Sequence, residues 1–365
     1  MLAGVFSGPG KIECRDVETP KPGRNEALIK VRAAAICGTD LRIFKSGHFA
    51  IKEGQERIMG HEFSGEIAEV GPGVTRYKPG TKVSVASNIG CGACRMCRMG
   101  KVHMCPEYIA IGITLEGGFA EYFKMHDKPL LQGNLIPLDG GGPPAGGSSK
   151  SGSRASSERF DFGEIALAEP LSCCINAWES VRTQPGDTVL VVGAGPMGAL
   201  HMQINRLAGA KTVIVADLLD SRLKLMEKFA PDVIVNTEKE DLKAVVLEKT
   251  GGEGVDVVIT ACPAPAIQKL AVEVAARFGR INFFGGLPKG KERVELDTNL
   301  IHYRQLTVTG TTGASLAHHA MAVDLIMSGK IDAKSVVSRR FKITEIKKAF
   351  EYAMSGEGLK TIIEF

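Results

Sequence analysis

The sequence predicts an α/β protein of two domains. One is an irregular, partly closed β domain, and the other a doubly wound parallel sheet. Three observations carry this expectation. The chain has 365 residues, too many for one small core. Up to about residue 130, short β-type runs alternate with glycine and proline. From about 171 to 309, wholly apolar strands alternate with helical stretches, as a sheet buried on both faces requires.

Taken in order, the β domain shows runs at Glu26–Arg32, Phe63–Val70 and Thr81–Val85. Residues 139–159 are almost wholly Gly, Pro, Ser and Ala. Such a stretch buries too little apolar surface to offset the entropy of ordering it, and it reads as a mobile surface loop. The parallel strands are read at Thr188–Val192, Thr212–Ala216, Val255–Thr260 and Arg280–Phe284. Helical stretches at His318–Ser328 and Ile343–Ser355 precede a last strand, Leu359–Phe365. The domain limits read from this pattern are 1–170 with 310–365 for the β domain, and 171–309 for the parallel sheet.

Composition excludes several classes. Apolar residues make up 44% and charged residues 24%, ordinary values for a globular chain. A formal net charge of +4, with no basic run, argues against a nucleic-acid partner. No apolar stretch reaches membrane-spanning length, so no membrane partner is expected. The start, Met1–Asp16, shows no basic segment followed by an apolar run, so a cytoplasmic location is expected.

Four of the nine cysteines fall within fifteen residues as C-x2-C-x2-C-x7-C: Cys91, Cys94, Cys97 and Cys105. An odd, bunched count argues against a disulfide framework. Four thiolates on one turned loop can surround a zinc ion and leave no position for water, giving a structural site. Similar spacing can also hold an iron–sulfur cluster. A zinc-ribbon binding module is a further reading of this loop, against which the weak net charge counts.

A second donor set is dispersed: Cys37 with Gly38-Thr39-Asp40, His61-Glu62 after Gly60, and Glu169 in Leu167-Ala-Glu-Pro-Leu. Mixed sulfur, nitrogen and oxygen donors suit a catalytic zinc that keeps an open position. A third feature is Val192-Gly193-Ala-Gly195-Pro196-Met197-Gly198, where a strand runs into G-x-G-x-x-G and then a helix. Gly193 permits the turn, Gly195 lets a diphosphate approach the backbone, and Gly198 lets helix pack on strand. Asp217 closes the next strand, nineteen residues on, where a carboxylate accepts from adenosine ribose hydroxyls and repels a 2′-phosphate. That favours NAD over NADP. Its alternative role is a helix N-cap. Arg222 follows five positions later and is read as flanking the adenine.

Gly60-His61-Glu62-x2-Gly65-x5-Gly71-x2-Val74 resembles the signature of the zinc-containing medium-chain dehydrogenase/reductase superfamily. The four-cysteine lobe, the Cys37 motif and the nucleotide turn follow in that family's order. The resemblance implies a GroES-like irregular β-barrel catalytic domain beside a Rossmann domain, with two zinc ions and NAD per chain. It implies Cys37, His61 and Glu62 as catalytic zinc ligands, with Glu169 approaching the metal directly or through its water. It further implies Asp40 as hydrogen-bond acceptor for His61, Thr39 as first proton relay, and Gly285 and Thr311 in the nicotinamide pocket. Where many relatives carry a relay histidine five positions after the cysteine, this chain has Arg42. Arginine takes up no proton at working pH, so proton exit would fall to His48 or water.

Cys173 and Cys174, one helical turn beyond Glu169, are read as packing residues. The activity implied is NAD-linked oxidation of a secondary hydroxyl of a polyol or sugar alcohol to a ketone. L-threonine 3-dehydrogenase and sugar-alcohol-phosphate dehydrogenase are the alternatives. A small-molecule alcohol is the expected partner, with a homodimer or homotetramer as the assembly.

Overall fold

A computed structural model describes residues 1–138 and 160–365; the Gly/Ser-rich stretch expected at 139–159 lies outside the described residues. The chain forms two compact units, Met1–Ser172 with Gly313–Phe365, and Cys173–Thr312. No helix among the described residues is long and apolar enough to cross a membrane.

The elements that matter below are, in chain order, β1 (Ala27–Ala35), α1 (Gly38–Ser46), β2 (Glu62–Val70), β3 (Lys82–Val85), β4 (Tyr122–Met125), β5 (Leu135–Pro137), α2 (Ala168–Val181), β6 (Thr188–Val192), α3 (Pro196–Leu207), β7 (Thr212–Asp217), α4 (Asp220–Met226), β8 (Val233–Asn236), β9 (Val255–Thr260), β10 (Ala275–Phe283), β11 (Thr307–Gly310), α5 (Leu316–Met327), β12 (Val337–Lys342) and β13 (Lys360–Glu364).

In the first unit, one seven-stranded sheet has the order β5-β3-β2-β1-β13-β12, with β4 also pairing β1. β1 is antiparallel to β2, with two register shifts, and to β13. Such irregularities bend and twist a strand, as a partly closed sheet demands. The apolar alternation of β1 puts Ala27, Ile29 and Val31 in a core with Phe63, Phe119, Phe123 and Phe350. Ile43 and Phe44 of α1 join that core, and the Phe44 ring lies 5.3 Å from that of Phe350. This packing fixes α1 against the sheet. A buried Phe350→Ala change would cost about 3–5 kcal/mol.

The second unit holds an all-parallel sheet in the order β8-β7-β6-β9-β10-β11. Chain order reverses direction between β6 and β9, the place where doubly wound sheets open a crevice for a ligand. Leu190, Val192, Ile214, Val258 and Ile281 from adjacent strands fill one core, which is why these strands read as uninterrupted apolar runs.

Candidate metal centre and nucleotide turn

The four-cysteine lobe is built almost wholly by local backbone. Cys94 caps a single helical turn, Arg95–Arg98, and its Sγ accepts from Cys97 N–H at 3.4 Å. Cys91 Sγ accepts from Cys94 N–H at 3.3 Å, and Cys105 Sγ from Cys91 N–H at 3.2 Å. Hydrogen bonds donated to sulfur favour thiolate, and backbone donors hold Cys91 down to about 7. Burial pushes Cys97 up to about 11. The four Sγ atoms lie within 4.8 Å of one another. Two measured edges, Cys91–Cys97 at 4.0 Å and Cys94–Cys105 at 3.7 Å, bracket the edge of about 3.8 Å that tetrahedral Zn–S bonds of about 2.3 Å generate. They are far too long for disulfides. Gly90 lets the lobe close, because a Cβ there would stand 2.5 Å from Cys97 Sγ.

The second donor set comes from element ends. Cys37 is the N-cap residue of α1, His61 directly precedes β2, and Glu62 opens it. Their donor atoms also lie within 4.8 Å of one another. His61 and Glu62 are buried, and Cys37 is half-buried. Asp40, wholly buried, orders both flanks: Oδ2 accepts from Cys37 N–H at 2.9 Å, and Oδ1 stands 3.3 Å from His61 Nδ1. That second contact is an ion-pair distance whose geometry falls outside a hydrogen bond. Burial opposes charge on His61, but Asp40 and the Cys37 sulfur outweigh it and hold the ring well above its usual value.

Glu169, in the first turn of α2, stands outside the three-donor group but within its field. Burial, reinforced by the nearby carboxylates Glu62 and Asp40, pushes its carboxyl up to about 7 despite His61 and Lys360. A small pocket beside it is lined by Ser87, Asn88, Glu169, Ser172, Ser315 and His319. Thr39 is half-exposed on α1, and its Oγ1 accepts from Arg42 Nη2 at 3.1 Å. His48 Nδ1 accepts from Ala50 N–H at 3.2 Å within a turn.

Sequence reasoning missed Lys360. This β13 lysine is 3% exposed, yet its Nζ reaches Glu62 Oε1 at 2.6 Å, contacts Glu62 Oε2, and donates to Ile36 O at 3.2 Å. Burial works against its charge, but Glu62 and Cys37 more than compensate and raise its pKa. A lone lysine 298 residues from its partner carries no local motif; only the register of β13 beside β1 brings it there.

In the second unit, Gly193 adopts φ +117°, and a Cβ on Gly198 would sit 1.9 Å from Gly193 O. Gly195, by contrast, has no atom within 4 Å of where its Cβ would be, which leaves open space over the turn. It caps α3 without a side-chain bond, with Pro196 and Met197 as the first helical residues, so that the first amides remain for an anion. Asp217 ends β7 with its carboxylate accepting from Ala194 N–H at 2.7 Å and Leu219 N–H at 3.1 Å. The N-cap of α4 is Leu219, so Asp217 does not cap that helix. Arg222 lies half-buried on α4. Gly285 and Thr311 follow the C-terminal ends of β10 and β11; Gly285 N–H donates to Thr260 O at 2.7 Å, and Thr311 Oγ1 to Asn282 Oδ1 at 3.2 Å. Cys174 is buried, with Sγ 3.9 Å from Met197 O.

A thiolate–imidazole–carboxylate donor set, a closed four-sulfur lobe and a Gly-rich turn on a doubly wound sheet define a zinc-dependent oxidoreductase using a dinucleotide. Residues 23–136 match the alcohol dehydrogenase GroES-like domain, and residues 196–328 match the zinc-binding dehydrogenase family. The chain is 34% identical to L-threonine 3-dehydrogenase of Pyrococcus horikoshii over 371 residues, 99% of this chain and 98% of that one. It is likewise 34% identical to L-threonine 3-dehydrogenase of Bacillus licheniformis over 351 residues, 95% of this chain and 93% of the relative. A putative zinc-binding dehydrogenase from Sinorhizobium meliloti bound to NADP superposes with a TM-score of 0.86 at 30% identity, covering 100% and 99% of the two chains. The protein belongs to the zinc-containing medium-chain dehydrogenase/reductase superfamily.

Proposed function

We propose that this chain catalyses the reversible, NAD-linked oxidation of a secondary hydroxyl on a small polar alcohol to the ketone. The observation that carries the reading is the convergence of Cys37, His61 and Glu62, a mixed set with fewer than four protein donors. Cys37, His61 and Glu62 would hold a zinc able to supply Lewis-acid polarisation, and the Gly193–Gly198 turn would hold a dinucleotide able to supply the hydride acceptor. The chain's own residues do the rest. Asp40 orients the His61 ring, and Lys360 fixes the Glu62 carboxylate and balances its charge. The Thr39 hydroxyl passes the alcohol's proton onward. Asp217 favours NAD by accepting from the ribose and repelling a 2′-phosphate. Cys91, Cys94, Cys97 and Cys105 would hold a second zinc that keeps their loop closed, and the chain would assemble as a homodimer or homotetramer.

Two substrate classes compete. A glutamate at position 169 supports a polyol or sugar alcohol. The full-length likeness to chains named L-threonine 3-dehydrogenase supports L-threonine. The test is metal analysis followed by an NAD-reduction screen with sorbitol, xylitol, 2,3-butanediol, L-threonine and ribitol 5-phosphate, repeated with NADP. Two zinc ions per chain and turnover of at least one secondary alcohol, faster with NAD, are expected. A zinc-replete protein inert toward all five would overturn the reading.

A further inference from the structure

Thr39, Arg42 and Lys45 follow one another at three-residue spacing and so share one face of α1. Asp40 is the only acid between Ile36 and Lys52, and it is wholly buried against Cys37 and His61. Arg42 is exposed and, among the described residues, has no carboxylate partner; its single hydrogen bond goes to Thr39 Oγ1. Its field also reaches His48, whose pKa is held down by burial first and by Arg42 second. An unpaired arginine on a surface usually faces only solvent. This one lies against the hydroxyl assigned to the reacting alcohol, and it stands where a group able to exchange protons would be useful. Arginine exchanges none; what its planar fork does well is bind carboxylate or phosphate.

Asp40, Glu62 and Glu169 crowd acidic groups around the donor cluster, and the exposed guanidinium of Arg42 offers an anionic substrate a fixed partner beside them.

We infer that Arg42 is a specificity residue that grips a carboxylate or phosphate carried by the substrate within a few carbons of the hydroxyl to be oxidised. The alcohols this enzyme prefers therefore carry a carboxylate or phosphate group. The inference deepens the proposed function and rests on its placement of the alcohol at Thr39.

The experiment compares wild type, Arg42→Gln and Arg42→Lys on uncharged alcohols (2,3-butanediol, xylitol) and charged ones (3-hydroxybutyrate, L-threonine, ribitol 5-phosphate). The readout is the ratio of kcat/KM for charged over uncharged substrates. In wild type the ratio favours a charged alcohol, and the preferred member tells carboxylate from phosphate. Arg42→Gln should lower that ratio by about 10- to 100-fold, the value of a charge-assisted hydrogen bond, and Arg42→Lys should restore part of it. A wild type that prefers uncharged alcohols overturns the inference. So does an Arg42→Gln loss shared equally by all five, which would mean action through Thr39 alone. A variant that changes only the KM for NAD overturns it too, by assigning the arginine to the cofactor's diphosphate. A binding arm separates this failure from that of the dehydrogenase reading. Calorimetry of zinc-loaded wild type with inorganic phosphate and with 3-hydroxybutyrate should show binding that Arg42→Gln loses. That comparison decides the role of Arg42 even if no alcohol is oxidised.

Discussion

The two donor clusters of the first unit use the same element of chemistry, cysteine sulfur, and are built in opposite ways. The Cys91–Cys105 lobe is complete within fifteen residues; its geometry is set by amide-to-sulfur bonds between neighbours, and three of its four cysteines remain partly exposed. The Cys37–His61–Glu62 centre draws on a helix cap, the edge of a strand and a lysine from the last strand, nearly all of it buried. The first offers sulfur alone. The second offers sulfur, nitrogen and oxygen, with the Lys360 ammonium against its carboxylate. A holding site can be written into a short loop, whereas a reacting site has to be assembled by the fold.

The largest expected effect tests that contrast directly. Cys37→Ser should lower kcat/KM on the order of 10³-fold, the worth of several kcal/mol of Lewis-acid stabilisation, and reduce bound zinc from two per chain to one. Retained turnover would erase the distinction. Next is Lys360→Met, which strands the buried Glu62 carboxylate and should cost about 3–5 kcal/mol in urea unfolding. Pairing it with Glu62→Gln should recover most of that loss; if the double variant is no better, the ion pair is not the cause. Asp40→Asn should weaken zinc binding at the buried centre about 10- to 100-fold in chelator competition while leaving the sulfur lobe loaded. The smallest effect on catalysis is expected from Cys105→Ser. It should release one zinc and lower the Tm, while kcat for whichever alcohol is turned over falls less than about 10-fold, because the proposed function gives the lobe no chemical step. Equal losses of turnover in Cys37→Ser and Cys105→Ser would show that the two clusters are not functionally separate.

The same contrast explains what could be read from the sequence. The two-domain α/β class was legible because apolar runs such as Thr188–Val192 differ in kind from the glycine-broken β runs before residue 130. The four-cysteine lobe was legible because its donors are sequence neighbours. Lys360 was not, since its role depends on strand register alone. Nor was the Arg42–Thr39 contact, which needs side-chain direction on α1 as well as spacing. Glu169 was found by motif, but its place just outside the three donors depends on where α2 begins. Asp217 had a second reading as a helix cap, which fell away once the helix was seen to start at Asp220.

The Lys360–Glu62 pair also has a bearing on biosynthesis. Glu62 emerges from the ribosome 298 residues ahead of the ammonium that neutralises it. Until β13 is translated and docks beside β1, the nascent catalytic unit carries a carboxylate it can bury only at high cost. Neutral burial of that carboxylate is thereby tied to the arrival of β13, whereas the four sulfurs of the lobe are all present once Cys105 has been added.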